Sequence, residues 1–201
     1  KPLLINNLKQ IINVIDQDNS SEIKTYRDRS IILLGFGGGF RRNELVSLNY
    51  DDLDFVNEGL KINLRKSKTD QFGEGSIKAL PYFDNPQYCP VKSVQKWLKL
   101  SKIKEEAIFR KFHKGNKLSN IRLSDQSVAL LIKYYLNKAG IDSSDYSGHS
   151  LRSGFATSAA EAGAEERSIM NMTGHKSTEM VRRYIKEANL FKNNALNKIK
   201  M

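Results

Sequence analysis

Apolar residues at 4, 8, 11, 12 and 15 of LINNLKQIINVI recur at helical spacing and predict a first helix there. EIKTYRDRSIILLGF predicts a second, ending in an apolar run. The glycines of GFGGGF then favour a break, and RRNELVSL resumes as helix. On either side of Asn57, Glu58 and Gly59 the pattern changes to alternation, so LDFVNEGLKINLRKS reads as a β-hairpin. GSIKALPYF supplies a third strand after the polar turn KTDQFGEG. From CPVKSVQKWLKLS onward the patterns are helical again, with Pro90 suited to a first helical position. LSDQSVALLIKYYLNKAG has Ser124 or Asp125 as a cap and Gly140 at its end. Together these elements predict an α+β fold, mostly α-helical, with a small three-stranded antiparallel sheet near the N-terminal third. No repeat, low-complexity tract or linker divides the chain, so residues 1–201 read as a single domain.

Composition narrows the function classes. With 201 residues and 39% hydrophobic content, the chain can bury a sizeable core. Its net charge is +11, and the excess recurs in LRKSK, FRKFHKGNK, MVRRYIK and FKNNALNKIK rather than in one tail. Distributed positive charge points to a polyanion, nucleic acid before a membrane surface, although solvated lysine faces would look the same. One cysteine, Cys89, excludes an internal disulfide framework and a multi-cysteine zinc site. Cys89 and His113 read as structural residues. No run approaches membrane-spanning length and no signal peptide opens the chain, so a cytoplasmic location is expected. The chain begins at Lys1 with a stretch already patterned as helix, as a piece of something longer would.

Candidate chemistry is spread over four short stretches. In GHSLRSGFATSAA, Ser147 or Gly148 can open a helix, which puts His149 and Arg152 on one face of its first turn. Unpaired N–H groups and the helix dipole already favour an anion there. In TGHKSTEMVRRY, Gly174 suits a turn and Ser177 or Thr178 an N-cap, so His175 precedes a helix that carries Tyr184. On one continuous helix the two would face opposite ways; with a break between them they can reach a common point. GFRRNELVSL puts an arginine after a glycine-rich break with Glu44 at i+3 from Arg41, a geometry that grips phosphate or simply makes a surface ion pair. The glycines do not make a nucleotide cradle, since GFGGGF lacks a third G-x-x-G glycine and no G-K-[ST] follows. Finally, Arg65, Lys66 and Lys68 cluster before the turn between two strands, where lysines are usually just solvated.

Taken together, these stretches resemble the catalytic domain of the tyrosine recombinases, the phage-integrase family. The family pattern is an arginine in G-x-R-x-x-E-L, a lysine on a β-hairpin, H-x-x-R, then G-H and a tyrosine shortly after. GFRRNEL, SKTD, HSLR, GH and the following tyrosine match it in order, and CPVKSVQKWL and LFKNNA also look like the family. The resemblance implies that Arg41, Lys68, His149, Arg152, His175 and Tyr184 form one catalytic set acting on double-stranded DNA without cofactor or metal. It further implies that Tyr184 attacks a phosphodiester to form a 3′-phosphotyrosine link, with Arg41 and Arg152 stabilising the transition state. Lys68 would protonate the leaving 5′-oxygen, His149 would act as general acid/base near the phenol, and His175 would bond the scissile phosphate. The C-terminal tail, with Leu190, Phe191, Leu196 and Ile199, would dock on a neighbouring protomer in a DNA-bound tetramer or fold back on its own core. The helical domain that normally completes the family's clamp around DNA has no counterpart in the sequence. The alternatives are a type IB topoisomerase-like relaxation enzyme, which HSLR with GH fits less well, and a DNA-binding accessory protein that does not cleave.

Overall fold

The structure, a computed structural model, describes residues 1–18, 21–65, 75–175, 177–189 and 199. Helix α1 spans Ile5–Asp16 and buries Leu8, Ile11, Ile12 and Ile15, the stripe expected from the spacing. Helix α2, Glu22–Gly37, is different: it is buried around most of its circumference from Arg27 to Gly35 and packs against helices on several sides. Its polar residues therefore need partners inside. Arg27 pairs with Asp28 at 2.6 Å, Asp28 accepts from the Tyr135 hydroxyl at 2.9 Å, and Ser30 meets Ser93 at 3.1 Å.

A glycine turn follows, then α3, Arg42–Ser47. The sheet order is β1 (Leu53–Val56), β2 (Gly59–Leu64) and β3 (Ser76–Pro81), all antiparallel, with Leu60 opposite Leu80 and Ile62 opposite Lys78. Helix α4, Pro90–Ser101, begins at its proline and lies along α2, burying Val91, Val94 and Trp97. The Trp97 indole donates to the Ile108 carbonyl at 2.9 Å, which satisfies the one polar atom of a fully buried ring.

The expectation of helix throughout this half needs one correction. Strands β4, Arg110–Phe112, and β5, Leu118–Arg122, form a second, two-stranded sheet. Their turn uses Gly115 and Asn116, both with positive φ, and closes with the His113 amide donating to the Lys117 carbonyl at 2.8 Å.

Helix α5, Asp125–Lys138, is capped by Ser124, whose hydroxyl accepts the Ser127 amide at 3.3 Å. Three helices finish the described chain: α6 (Ser150–Glu161), α7 (Glu166–Thr173) and α8 (Thr178–Asn189). The N-terminal segment ties α6 down, for the Leu3 amide donates to the Ser150 carbonyl at 2.9 Å. That approach requires Gly154, where a Cβ would lie 1.9 Å from the Leu3 oxygen. Cys89 is buried. Among the described residues no helix is long and apolar enough to cross a membrane.

Candidate active site

The site forms where two turns meet beneath the start of α6. The first turn is Gly38–Arg41, between α2 and α3; the second is Met172–His175, the last residues of α7 and the start of its link to α8. Gly39 adopts φ +55°, and its α-carbon comes so close to the second turn that a Cβ would sit 3.1 Å from Thr173 Cγ2.

Arg41 is the N-cap of α3. Glu44, at i+3, folds back on it: one carboxylate oxygen accepts the Arg41 amide at 2.9 Å and the other accepts Nη1 at 2.6 Å. Arg41 Nη2 then donates to the Gly174 carbonyl at 3.3 Å, reaching across to the second turn. Arg42 goes elsewhere. It lies 3.9 Å from Asp125 and packs over Gly148, where any Cβ would collide with its side chain. Of the adjacent arginines, only Arg41 has a bond to the second turn.

Arg152 enters from α6. It is buried; Nη1 donates to the Gly39 carbonyl at 3.0 Å, while Nη2 is buried and makes no hydrogen bond. Burial first and then the Arg41 charge press its pKa down to about 10, so it stays a cation at neutral pH. The expectation that His149 and Arg152 share a first turn is modified by the helix boundary. His149 is the N-cap and exposed, and α6 begins at Ser150. The two differ in exposure: Arg152 is buried and His149 is exposed.

His175 lies just beyond α7, after Gly174 ends that helix in a left-handed conformation. Its Nδ1 is 2.8 Å from the Thr173 hydroxyl, which itself donates to the Ile169 carbonyl at 2.7 Å. A hydroxyl has one proton to give, so His175 donates through Nδ1–H and Nε2 is its unprotonated nitrogen. Burial pushes the imidazole down to about 4, aided by the charges of Arg152, Arg41 and Lys78, so it is neutral at pH 7.

Tyr184 is half-buried on α8, with its ring centroid 6.3 Å from that of His175. Val181, Tyr184 and Ile185 share one helix face, at i, i+3 and i+4, and pack against Ala156, Ala160 and Ile169. The break between α7 and α8 is what lets a histidine and a tyrosine nine positions apart meet.

Lys68 falls in 66–74 and lies outside the described residues, as do residues 190–198 of the C-terminal tail. A different lysine is inside the site. Lys78, on β3, is 5% exposed and donates to the carbonyls of Gly38 (2.8 Å) and Met172. Sequence reasoning missed it because β3 carries it at an inward position while its neighbour Ile77 faces out. No group of His, Cys, Asp and Glu able to hold a metal occurs among the described residues.

Known proteins resemble this chain in sequence and in fold. Residues 2–190 match the phage integrase family. The chain is 43% identical over 198 residues to the integrase/recombinase xerD homolog of Selenomonas ruminantium, covering 98% of this chain and 57% of that protein. It is 26% identical over 201 residues to the tyrosine recombinase XerA of Pyrococcus horikoshii, covering 100% of this chain and 62% of that one. In fold it resembles the XerH site-specific recombinase bound to its palindromic difH substrate after cleavage, with a TM-score of 0.72 at 20% identity over 96% of this chain and 54% of that one. The XerA recombinase crystal structure gives 0.71 at 22% identity over 100% of this chain and 64% of that one. The chain thus spans little more than half the length of the xerD homolog.

Proposed function

The chain belongs to the phage integrase family, and from that premise we propose that residues 1–201 are the catalytic domain of a site-specific recombinase that cuts and rejoins double-stranded DNA. The observation that carries the reading is the buried Arg152 Nη2, which makes no hydrogen bond and sits among Arg41, His175 and Tyr184. A buried guanidinium donor left unpaired is costly. A phosphate oxygen would satisfy it, and the nearby cations favour that charge.

The reaction is the one the family pattern implies. The Tyr184 hydroxyl oxygen attacks phosphorus, the bond from phosphorus to the 5′-oxygen breaks, and a 3′-phosphotyrosine forms. The phenol proton leaves to a base and the departing 5′-oxygen takes one up, so the step is isoenergetic in bond type and reverses when another 5′-hydroxyl attacks. Arg41 and Arg152 stabilise the charge on the non-bridging oxygens. By the family pattern, His149 handles the phenol proton and Lys68 delivers the proton to the 5′-oxygen. His175 gains its proton as the substrate binds. A phosphate offsets the arginine charges that add to burial in holding the imidazole neutral, and Nε2–H then donates to the phosphate. The working unit is a DNA-bound homo-oligomer, expected to be a tetramer through the C-terminal tail.

The test is trapping. Nicked suicide DNA from a genomic library of the source organism lets the cut fragment diffuse away before religation. The wild-type protein should then give a covalent adduct on a denaturing gel, and Tyr184→Phe none. Equal adduct from both would remove Tyr184 as nucleophile, and tight DNA binding with no adduct from full-length protein would favour a non-cleaving accessory role.

A further inference from the structure

Strand β3 places its side chains against hydrophobic logic. Ile77 is 69% exposed and the adjacent Lys78 is 5% exposed. A one-residue slip would bury the isoleucine and free the lysine, yet the pairing of Leu80 with Leu60 and Lys78 with Ile62 holds the opposite register. Sequences break their local rules in this way at functional positions, where another gain offsets the cost.

The gain is visible in what the ammonium touches. It donates to Gly38 in the first turn and to Met172 in the second, with the Phe40 ring 5.1 Å away. Each carbonyl lies three residues ahead of a site residue, Gly38 before Arg41 and Met172 before His175. The only other described polar link between the turns is the Arg41 bond to Gly174, at 3.3 Å. The ionisable groups around the amine are Glu44, Arg152, Arg41 and His175; the carboxylate supports its charge and the cations oppose it.

We infer that Lys78 is a positioning residue for DNA cleavage: its ammonium bolts the turn that carries Arg41 to the turn that carries His175 and so fixes both around one phosphate. It is buried, held by the two carbonyls, and needs no contact with DNA. Burial, with the arginine charges, brings its pKa down to about 8, so the bolt is charged at neutral pH at some cost in stability. The inference rests on the recombinase reading for its chemistry, and on the two turns alone for its geometry.

Lys78→Met keeps the stem and removes the ammonium. In the full-length protein on nicked DNA, the cleavage rate should fall about 100-fold, the order expected when reacting groups lose their alignment. DNA affinity should hold and the melting temperature should stay within a few degrees, since an apolar replacement for a buried charge is often well tolerated. In an Arg41→Ala background the same change should cost less than about tenfold, because an effect that runs through Arg41 does not repeat once Arg41 is gone. A third readout needs no DNA: in an NMR titration Lys78→Met should raise the His175 pKa, because one opposing cation is gone. A wild-type cleavage rate in Lys78→Met would overturn the inference. So would a loss matched by the loss of folded protein, equal losses in both backgrounds, or an unmoved His175. If wild-type protein itself forms no adduct, the recombinase reading fails alone, and the titration still decides whether the Lys78 charge faces the second turn.

Discussion

The groups that would hold a phosphate and the group that would attack it stand on differently built parts of the molecule. Arg41, Arg152 and Lys78 extend from elements set into a large apolar core that runs through α1, α2, α4 and α5, with Ile11, Ile12, Ile31, Leu34, Trp97 and Ile132 fully buried. Tyr184 extends from α8, which rests on a separate patch whose buried members are Ala156, Ala160, Ile169 and Val181. Apolar burial stabilises by about 25 cal/mol per Å², and an alanine offers few of those Å². The cations are therefore held firmly and the tyrosine lightly. A fixed field needs no rearrangement when charge develops, whereas a nucleophile that must meet and leave a phosphate gains from a helix that opens at low cost.

The sharpest contrast should come from the firm side. Arg152→Met should slow covalent adduct formation about 10²–10³-fold, measured by single-turnover trapping. Its melting temperature should hold or rise, because burial and the Arg41 charge already work against that guanidinium. A parallel fall in both would make Arg152 a structural residue.

Stability should divide between the two regions. Trp97→Ala opens the large core and should cost about 3–5 kcal/mol of global stability by denaturant titration. Val181→Ala, on the small patch, should cost about 1 kcal/mol and affect α8 alone. Similar global losses from both would merge the two regions into one.

A further effect is in the pH dependence. Folded His175 binds its proton only near pH 4, whereas the unfolded chain binds it near 6.5. The unfolded state therefore holds more protons between those values, and stability should fall as pH drops from about 6.5 toward 4. Lys78 has its window at the other end: with a folded value of about 8 against 10.5, stability should rise as pH climbs between them. Thermal melts of the wild type against Lys78→Met across that range read the second window directly.

Much of this was legible beforehand, because local rules and tertiary structure agree at many positions. Pro90 starts α4, Ser124 caps α5, and the hairpin turns at residues 57–58. The order Arg41, Arg152, His175, Tyr184 was readable as a motif, and the turn at Gly174 was readable as the reason two of them can meet. What was hidden shares one physical cause. On β4, Arg110 is buried, with its guanidinium bonded to the carbonyls of Ala107 and Glu105 and to Asn120, so the strand does not show an apolar inward face. On β3, Lys78 does the same. A cation whose partners are backbone carbonyls looks like a solvated residue until the fold brings those carbonyls to it. The start of α6 at Ser150, with His149 as its N-cap, falls one or two residues later than Ser147 or Gly148 would give, a difference that capping preferences do not resolve.

Native-state hydrogen exchange on the wild-type protein bears most directly on the division between firmly held cations and a lightly held tyrosine. Amides of α8 should exchange through local openings well below the global unfolding free energy, while those of α2 and α4 exchange only at the global limit. If α8 exchanges at the same limit as α2, the tyrosine is as firmly set as the arginines, and the division is wrong.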